Sequence, residues 1–229
     1  MIPGLPRSLC RAVPAALLLG IVLSAAPAAA HPHAYIEYAA TLRFDDGQRI
    51  AALEVSWIFD EMYSAYAVDG LDADRNGRID PAELAPLASE NLAMLAEWGY
   101  FTYLKLDGRR IVLGPPGPHA SLFQDGRIAM RFSLPLAEPV DPRRGRVAFA
   151  GFDPTFYIDM TPLPGTPFTF AGTAPPDCRI ELGPDPATGD RFVPDATANE
   201  LDQGPGGDVE ASLGARFARW AVVACGTAP

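Results

Sequence analysis

The sequence predicts a mainly β (α+β) fold, an antiparallel β-sandwich-like domain with one small helical insertion. Two observations predict it. Short apolar runs with a period of two recur along the chain, separated by Asp-Gly, Gly and Pro turn signals, as at Asp46-Gly47, Asp107-Gly108 and Asp125-Gly126. A period of two puts alternate side chains on opposite faces of a strand, so each run can bury one face. A helical period is sustained in only one interior stretch, near residues 81–97.

The amino terminus is a different kind of segment. Arg7 and Arg11 form a short basic region, residues 13–26 are apolar, and Ala28 and Ala30 supply small side chains at the −3 and −1 positions of a cleavage site. Residues 1–30 are therefore expected to be a signal peptide cleaved on export to the periplasm. The apolar run is short for a membrane span. Residues 31–229 are expected to form a single soluble β-rich domain, with residues 60–97 inserted as a helical unit. Losing Arg7 and Arg11 leaves 16 basic against 28 acidic side chains, a net of −12, and Lys105 is the only lysine. That balance argues against nucleic acid as a partner and favours cations.

The strands follow in order. Ile36, Tyr38, Ala40, Leu42 and Phe44 share one face, and Leu53, Val55, Trp57 and Phe59 return after the turn at Asp46-Gly47. Residues 60–68 are expected to be a short helix. A second helix starts at Pro81, capped by Asp80, with Leu84, Leu87, Leu92 and Leu95 on its apolar side. Pro86 removes one hydrogen bond, so a kink or restart is expected there. Residues 101–105 and 111–113 read as strands. Pro115, Pro116 and Pro118 mark a rigid connection that carries His119. Ile128, Met130, Phe132, Leu134 and Leu136 form another strand face, and residues 146–152, 156–160 and 168–170 read as three more strands. Residues 175–207 are rich in Pro, Gly and Asp and read as a surface excursion tied down at Cys178. Residues 208–220 read as a helix and 221–225 as a last strand.

Between the two inserted helices lies Asp72-Ala73-Asp74-Arg75-Asn76-Gly77-Arg78-Ile79-Asp80-Pro81-Ala82-Glu83. Asp72, Asp74, Asn76, Arg78, Asp80 and Glu83 stand at positions 1, 3, 5, 7, 9 and 12 of an EF-hand-like calcium loop, with Gly77 at the sharp turn of position 6. Calcium takes about six to eight hard oxygen ligands in a flexible shell. Side chains at alternate early positions supply them, Arg78 offers its carbonyl, and Glu83 closes the site from the exit helix. The competing explanation is a helix start with a reciprocal cap between Asp80 and Glu83. It leaves Asp72, Asp74, Asn76 and Gly77 unexplained.

The three histidines are a second candidate site. Signal cleavage exposes an α-amino group beside the His31 imidazole, and His33 follows Pro32. Together with His119 and the carboxylate of Asp153, these groups could hold zinc, nickel, cobalt or copper. The alternative is a frayed terminus and a turn-capping His119. Cys178 and Cys225 are left after signal removal. An even count in an oxidising compartment points to one disulfide, with two separate buried thiols as the rival.

A resemblance adds to this. His31-Pro32-His33, residues 57–63 (WIFDEMY), Tyr100-Phe101-Thr102, Phe152-Asp153-Pro154 with Tyr157, and Leu213-Gly214 with Cys225 are similar to a bacterial periplasmic family of unknown function. The family is described as the periplasmic component of an uncharacterised ABC-type transport system. The resemblance implies an exported accessory protein associated with nickel/cobalt-type exporters, with an inner-membrane metal transporter as partner. No nucleophile elbow, phosphate loop or zinc-protease motif appears, so an enzyme is the lesser expectation. Its strongest form is a copper enzyme using the N-terminal histidine. A calcium-stiffened structural adaptor of a membrane complex is the other alternative.

Overall fold

The computed structural model describes residues 32–183, 209 and 212–226. They form two β-sheets around a shared apolar core. The strands are β1 (Ala34–Phe44), β2 (Ile50–Phe59), β3 (Thr102–Leu106), β4 (Arg109–Arg110), β5 (His119–Gln124), β6 (Arg127–Val140), β7 (Val147–Gly151), β8 (Ile158–Pro162), β9 (Phe168–Gly172), β10 (Arg179–Gly183) and β11 (Trp220–Ala224). Two α-helices, α1 (Glu61–Ala67) and α2 (Pro81–Leu95), stand between β2 and β3.

The first sheet runs β5-β6-β2-β1, and β1 then carries two strands on its outer edge. β8 pairs in parallel with Ala34–Tyr38, and β9 pairs in parallel with Ala40–Phe44. The edge is split because Pro164 and Pro167 lie between β8 and β9 and offer no N–H to the ladder. The backbone bridges the gap with Leu163 N–H donating to the Tyr38 carbonyl (2.8 Å) and Ala40 N–H to the Pro167 carbonyl (3.0 Å). The other pairings in both sheets are antiparallel, as expected; these two depart from that pattern. The second sheet has the order β10-β11-β7-β3-β4.

The period of two places the core as predicted. All five apolar positions of β1, the four of β2 and the five of β6 are buried. They meet Leu104, Val147, Phe149, Ala221 and Val223 of the second sheet. Trp57 sits centrally, edge-on to Phe132 at 4.9 Å. The outer face of the second sheet is covered too. There Tyr103, Ala148, Ala150, Phe152, Trp220 and Val222 cluster with Val209, Ala215 and Ala218. β3 and β7 are consequently buried on both faces and lose clean alternation.

Several expectations are corrected. α2 does not restart at Pro86 but runs through it as one element, with the bond to the Ala82 carbonyl given up. Residues 111–113 form no strand beyond an isolated bridge from Leu113 to Leu136. His119 is the first residue of β5, not part of a connection. Residues 212–219 of the expected 208–220 helix are turn and irregular structure around the 3-10 turn Gly214–Arg216. Residues 179–183 of the expected excursion are the edge strand β10. Residues 184–207 of the excursion, the signal segment and His31 lie outside the described residues.

Cys178 and Cys225 form a disulfide. β10 pairs Arg179 with Ala224, so the two cysteines are the next opposed pair along the β10-β11 ladder. Among the described residues no helix is long and apolar enough to cross a membrane.

Candidate functional site

The 72–83 loop is held between two helices that are each fixed to the first sheet. Asp60 caps α1, accepting from Tyr63 N–H (2.8 Å) with one oxygen and from Tyr35 N–H (2.8 Å) with the other. Its own N–H donates to the Tyr35 carbonyl. Ser64, fully buried in the same helix, accepts from Ile128 N–H at 2.9 Å. α1 is thereby tied to β1 and β6. Leu71 and Ile79, at either side of the loop, pack against the core.

Within the loop the chain wraps as the spacing predicts. Gly77 has φ +77°, a left-handed turn that glycine adopts without a Cβ penalty. Asp72 accepts from Asn76 N–H (3.0 Å) and Gly77 N–H (2.9 Å). Asn76 receives Arg78 N–H on its side-chain oxygen and donates its amide to Asp74 at 2.8 Å. Glu83 reaches back across the loop, accepting from Ala73 N–H (2.8 Å) and Asp80 N–H (3.0 Å). Asp80 accepts from Ala82 N–H and Glu83 N–H, so the reciprocal cap is present as well. The cap accounts for Asp80 and Glu83 and leaves Asp72 and Asp74 to be explained.

Asp72, Asp74 and Glu83 each bring a carboxylate oxygen to within 4.8 Å of the others. Carboxylates so close repel by about 1 kcal/mol per pair even in the dielectric of water. A hard divalent cation among them reverses that sign. Oxygen donors on a wrapped loop are the donor set that calcium takes.

The exit helix is fixed at the opposite edge of the sheet. Ser89 donates its hydroxyl to the Ala85 carbonyl (2.9 Å) and lies 3.1 Å from His119 Nε2.

The structure does not gather the histidine site. His33 precedes β1; its N–H donates to the Tyr157 carbonyl (2.8 Å), and its ring stacks on Tyr157 at 4.6 Å. His119 pairs with Phe132 in β6, Phe132 with Val55 in β2, and Val55 with Ala40 in β1. It is therefore three strands across from β1, about 14 Å, and level with a residue about 23 Å along the strand from His33. Asp153 is 3% exposed, and its carboxylate is occupied. It accepts from Thr155 N–H (2.9 Å), the Thr155 hydroxyl (2.9 Å) and Ile158 N–H (2.9 Å). Asp153 is the hub of a turn. Residue 31 lies outside the described residues.

Two acids at this end were not singled out as site residues from the sequence. Asp60 looked like a helix start, and its bond to Tyr35 crosses 25 residues. Asp159 is aligned with Tyr35 by the parallel β1-β8 register. Partial burial pushes its carboxyl above the usual carboxylate range. Strand alternation could have placed Asp159 on a face, but the partner across it depends on a parallel pairing that sequence pattern does not reveal.

Residues 16–225 match the family described as "Protein of unknown function (DUF1007)". The chain belongs to this family. An uncharacterized protein of Haemophilus influenzae is 26% identical over 211 residues, covering 91% of this chain and 97% of its own. An uncharacterized 15.5 kDa protein in the trpE 3' region of Spirochaeta aurantia is 33% identical over 89 residues, covering 39% of this chain and 63% of its own. No solved structure matches the chain. The family match spans both sheets, the helical insertion and both cysteines.

Proposed function

We propose that this protein is an exported, periplasmic accessory protein whose 72–83 loop binds calcium, and that it assists divalent transition-metal transport at the membrane. The observation that supports calcium is the convergence of Asp72, Asp74 and Glu83 on one point, in a loop with the position-by-position spacing of a calcium site. Both flanking helices are anchored to the sheet, through Asp60 and Ser64 on one side and the Ser89–His119 contact on the other. Anchored helices have little room to open, so calcium acts here as a structural brace and not as a sensor. A constant of about 10⁻⁴ to 10⁻³ M suits an extracytoplasmic module.

Calorimetric titration of chelator-treated protein tests the loop. Wild type is expected to give a saturable heat with calcium, and Glu83→Gln, which removes a charge from the closing ligand, to weaken binding at least about tenfold. Equal heats in the two proteins would remove the assignment. Export is supported by the amino-terminal pattern and agrees with the Cys178–Cys225 disulfide. The intact mass of protein recovered from the periplasm should correspond to a chain beginning at His31; a mass that retains residues 1–30 contradicts it.

The transition-metal role is supported by the family resemblance and by His31-Pro32-His33. Elemental mass spectrometry on protein purified without chelators should find near-stoichiometric zinc, nickel, cobalt or copper beside calcium. A second reading, a calcium-stiffened adaptor of a membrane complex, is favoured by the separation of His33, at the start of β1, from His119, three strands away on the edge strand β5, and by the occupied carboxylate of Asp153. Calcium alone in the elemental analysis selects the adaptor.

A further inference from the structure

The structure separates His33 from His119 and uses up Asp153, but it brings a different carboxylate to His33. β1 and β8 run in parallel, with Ala34 opposite Ile158 and Tyr35 opposite Asp159. The ladder continues one step further, where His33 N–H donates to the Tyr157 carbonyl at 2.8 Å. Ile36 and Met160 are buried in the core, so the alternate residues His33, Tyr35, Tyr157 and Asp159 stand on the outer face. Asp159 is therefore the diagonal neighbour of His33, one strand across and two residues along. Strand spacing sets that diagonal at about 8 Å between Cβ atoms, within joint reach of an imidazole and a carboxylate that share one ion.

Both groups are prepared for a ligand. The His33 ring stacks on Tyr157 at 4.6 Å and its backbone is bonded to the β8 line, so little ordering is left for binding to impose. Asp153 fixes the start of β8 by accepting from Ile158 N–H. Asp159 is the carboxylate at this corner that the fold does not use. Asp60 engages Tyr63 N–H and Tyr35 N–H with its two oxygens, and Glu37 is paired with Arg127 at 2.8 Å. Among the described residues the Asp159 side chain makes no hydrogen bond or ion pair, and no cationic side chain is near enough to offset the burial that raises its carboxyl. A partly buried carboxylate without a partner is destabilising, and a cation beside it removes that penalty.

Signal cleavage supplies a further donor. The α-amino group of a chain that begins at His31 is two residues from His33, at most about 7 Å of extended chain. An amine, imidazole nitrogen and one carboxylate oxygen form a nitrogen-rich set suited to copper(II) or nickel(II). Calcium takes oxygen donors, which separates this corner from the 72–83 loop. Tyr35 and Tyr157 are half-exposed, so the face is open to solvent and an ion there can be taken up and passed on.

We infer that the outer face at the start of β1 and β8 is a copper(II) or nickel(II) site, where the His33 imidazole and the Asp159 carboxylate hold the ion beside the mature α-amino group. The inference rests on the transition-metal reading and puts Asp159 in the place expected for His119 and Asp153. Asp153 is then a positioning residue for β8.

The probe is copper(II), and separately nickel(II), titrated by calorimetry into the signal-cleaved protein in excess calcium, which keeps the 72–83 loop filled. Wild type is expected to bind one ion. His33→Ala and Asp159→Asn are each expected to weaken binding about tenfold or more. Asp159→Asn should also change the electron paramagnetic resonance spectrum of the copper complex, because a carboxylate oxygen leaves the donor set; a change in packing alone would not do this. Glu138→Gln, an exposed acid at the far end of β6, should leave affinity and spectrum unchanged. Circular dichroism confirms that each variant is folded, and Asp159→Asn keeps the size and shape of the side chain. Wild-type affinity and spectrum in Asp159→Asn overturn this site and leave the transition-metal reading standing. Absence of copper and nickel binding in wild type removes both. Equal weakening in Glu138→Gln reports nonspecific attraction to an acidic surface and overturns the site as well.

Discussion

Asp153→Ala is expected to destabilise the protein by about 3 kcal/mol, because it removes the acceptor of two part-buried backbone N–H groups and of the Thr155 hydroxyl. Thr155 N–H and Ile158 N–H both donate to this carboxylate at 2.9 Å, and the residue is 3% exposed. Each orphaned buried donor costs about 1–3 kcal/mol, and bonds to a charged acceptor lie toward the upper end. The urea midpoint should fall by about 1 M or more. The condition of the measurement decides between two roles. A turn hub loses the same stability with chelator present as with metal present. A metal ligand loses stability only where metal is there to be lost. Equal loss in excess chelator is the expected result, and a loss seen only with metal would return Asp153 to the ligand set.

Removing the disulfide by Cys178→Ala with Cys225→Ala is expected to cost about 4 kcal/mol. The bond joins residues 47 apart, and closing a loop of that length restricts the unfolded chain by about this amount. For a domain of this size the melting temperature should drop by about 10 °C in calorimetry. The link ties β10 to β11 at the edge of the second sheet, so hydrogen exchange should speed first along residues 179–183. Wild type under reducing conditions should melt with the double variant. An unchanged melting temperature in both would mean that strand pairing alone holds that edge.

Much of this architecture was legible in the residues. The alternation at 36–44, 53–59 and 128–136 named the buried face of three central strands correctly, because a half-buried strand writes its environment directly into its sequence. The spacing of Asp72, Asp74, Asn76, Arg78, Asp80 and Glu83 anticipated a loop whose carboxylates converge, since those ligand positions lie within twelve consecutive residues. Asp80 was visible as a helix cap for the same local reason. Pro86 removes one hydrogen bond without ending the helix, so the restart it suggested does not occur.

The histidine set shows the other kind of information. His33, His119 and Asp153 are scarce, chemically suited groups, and their residue types suggested a site. Strand order put His119 on an edge strand three strands away from β1, which His33 precedes, and local hydrogen bonds consumed Asp153. The sequence by itself determined the core faces, the helical insertion, the cysteine pair and the convergence of carboxylates in the 72–83 loop, all set by short-range periodicity, capping and spacing. Only the tertiary structure decided that β8 and β9 join β1 in parallel, that Asp60 reaches Tyr35, and that Phe156 stacks on Phe217. Those contacts join residues far apart in the chain, and their register follows from how two sheets close over a common core.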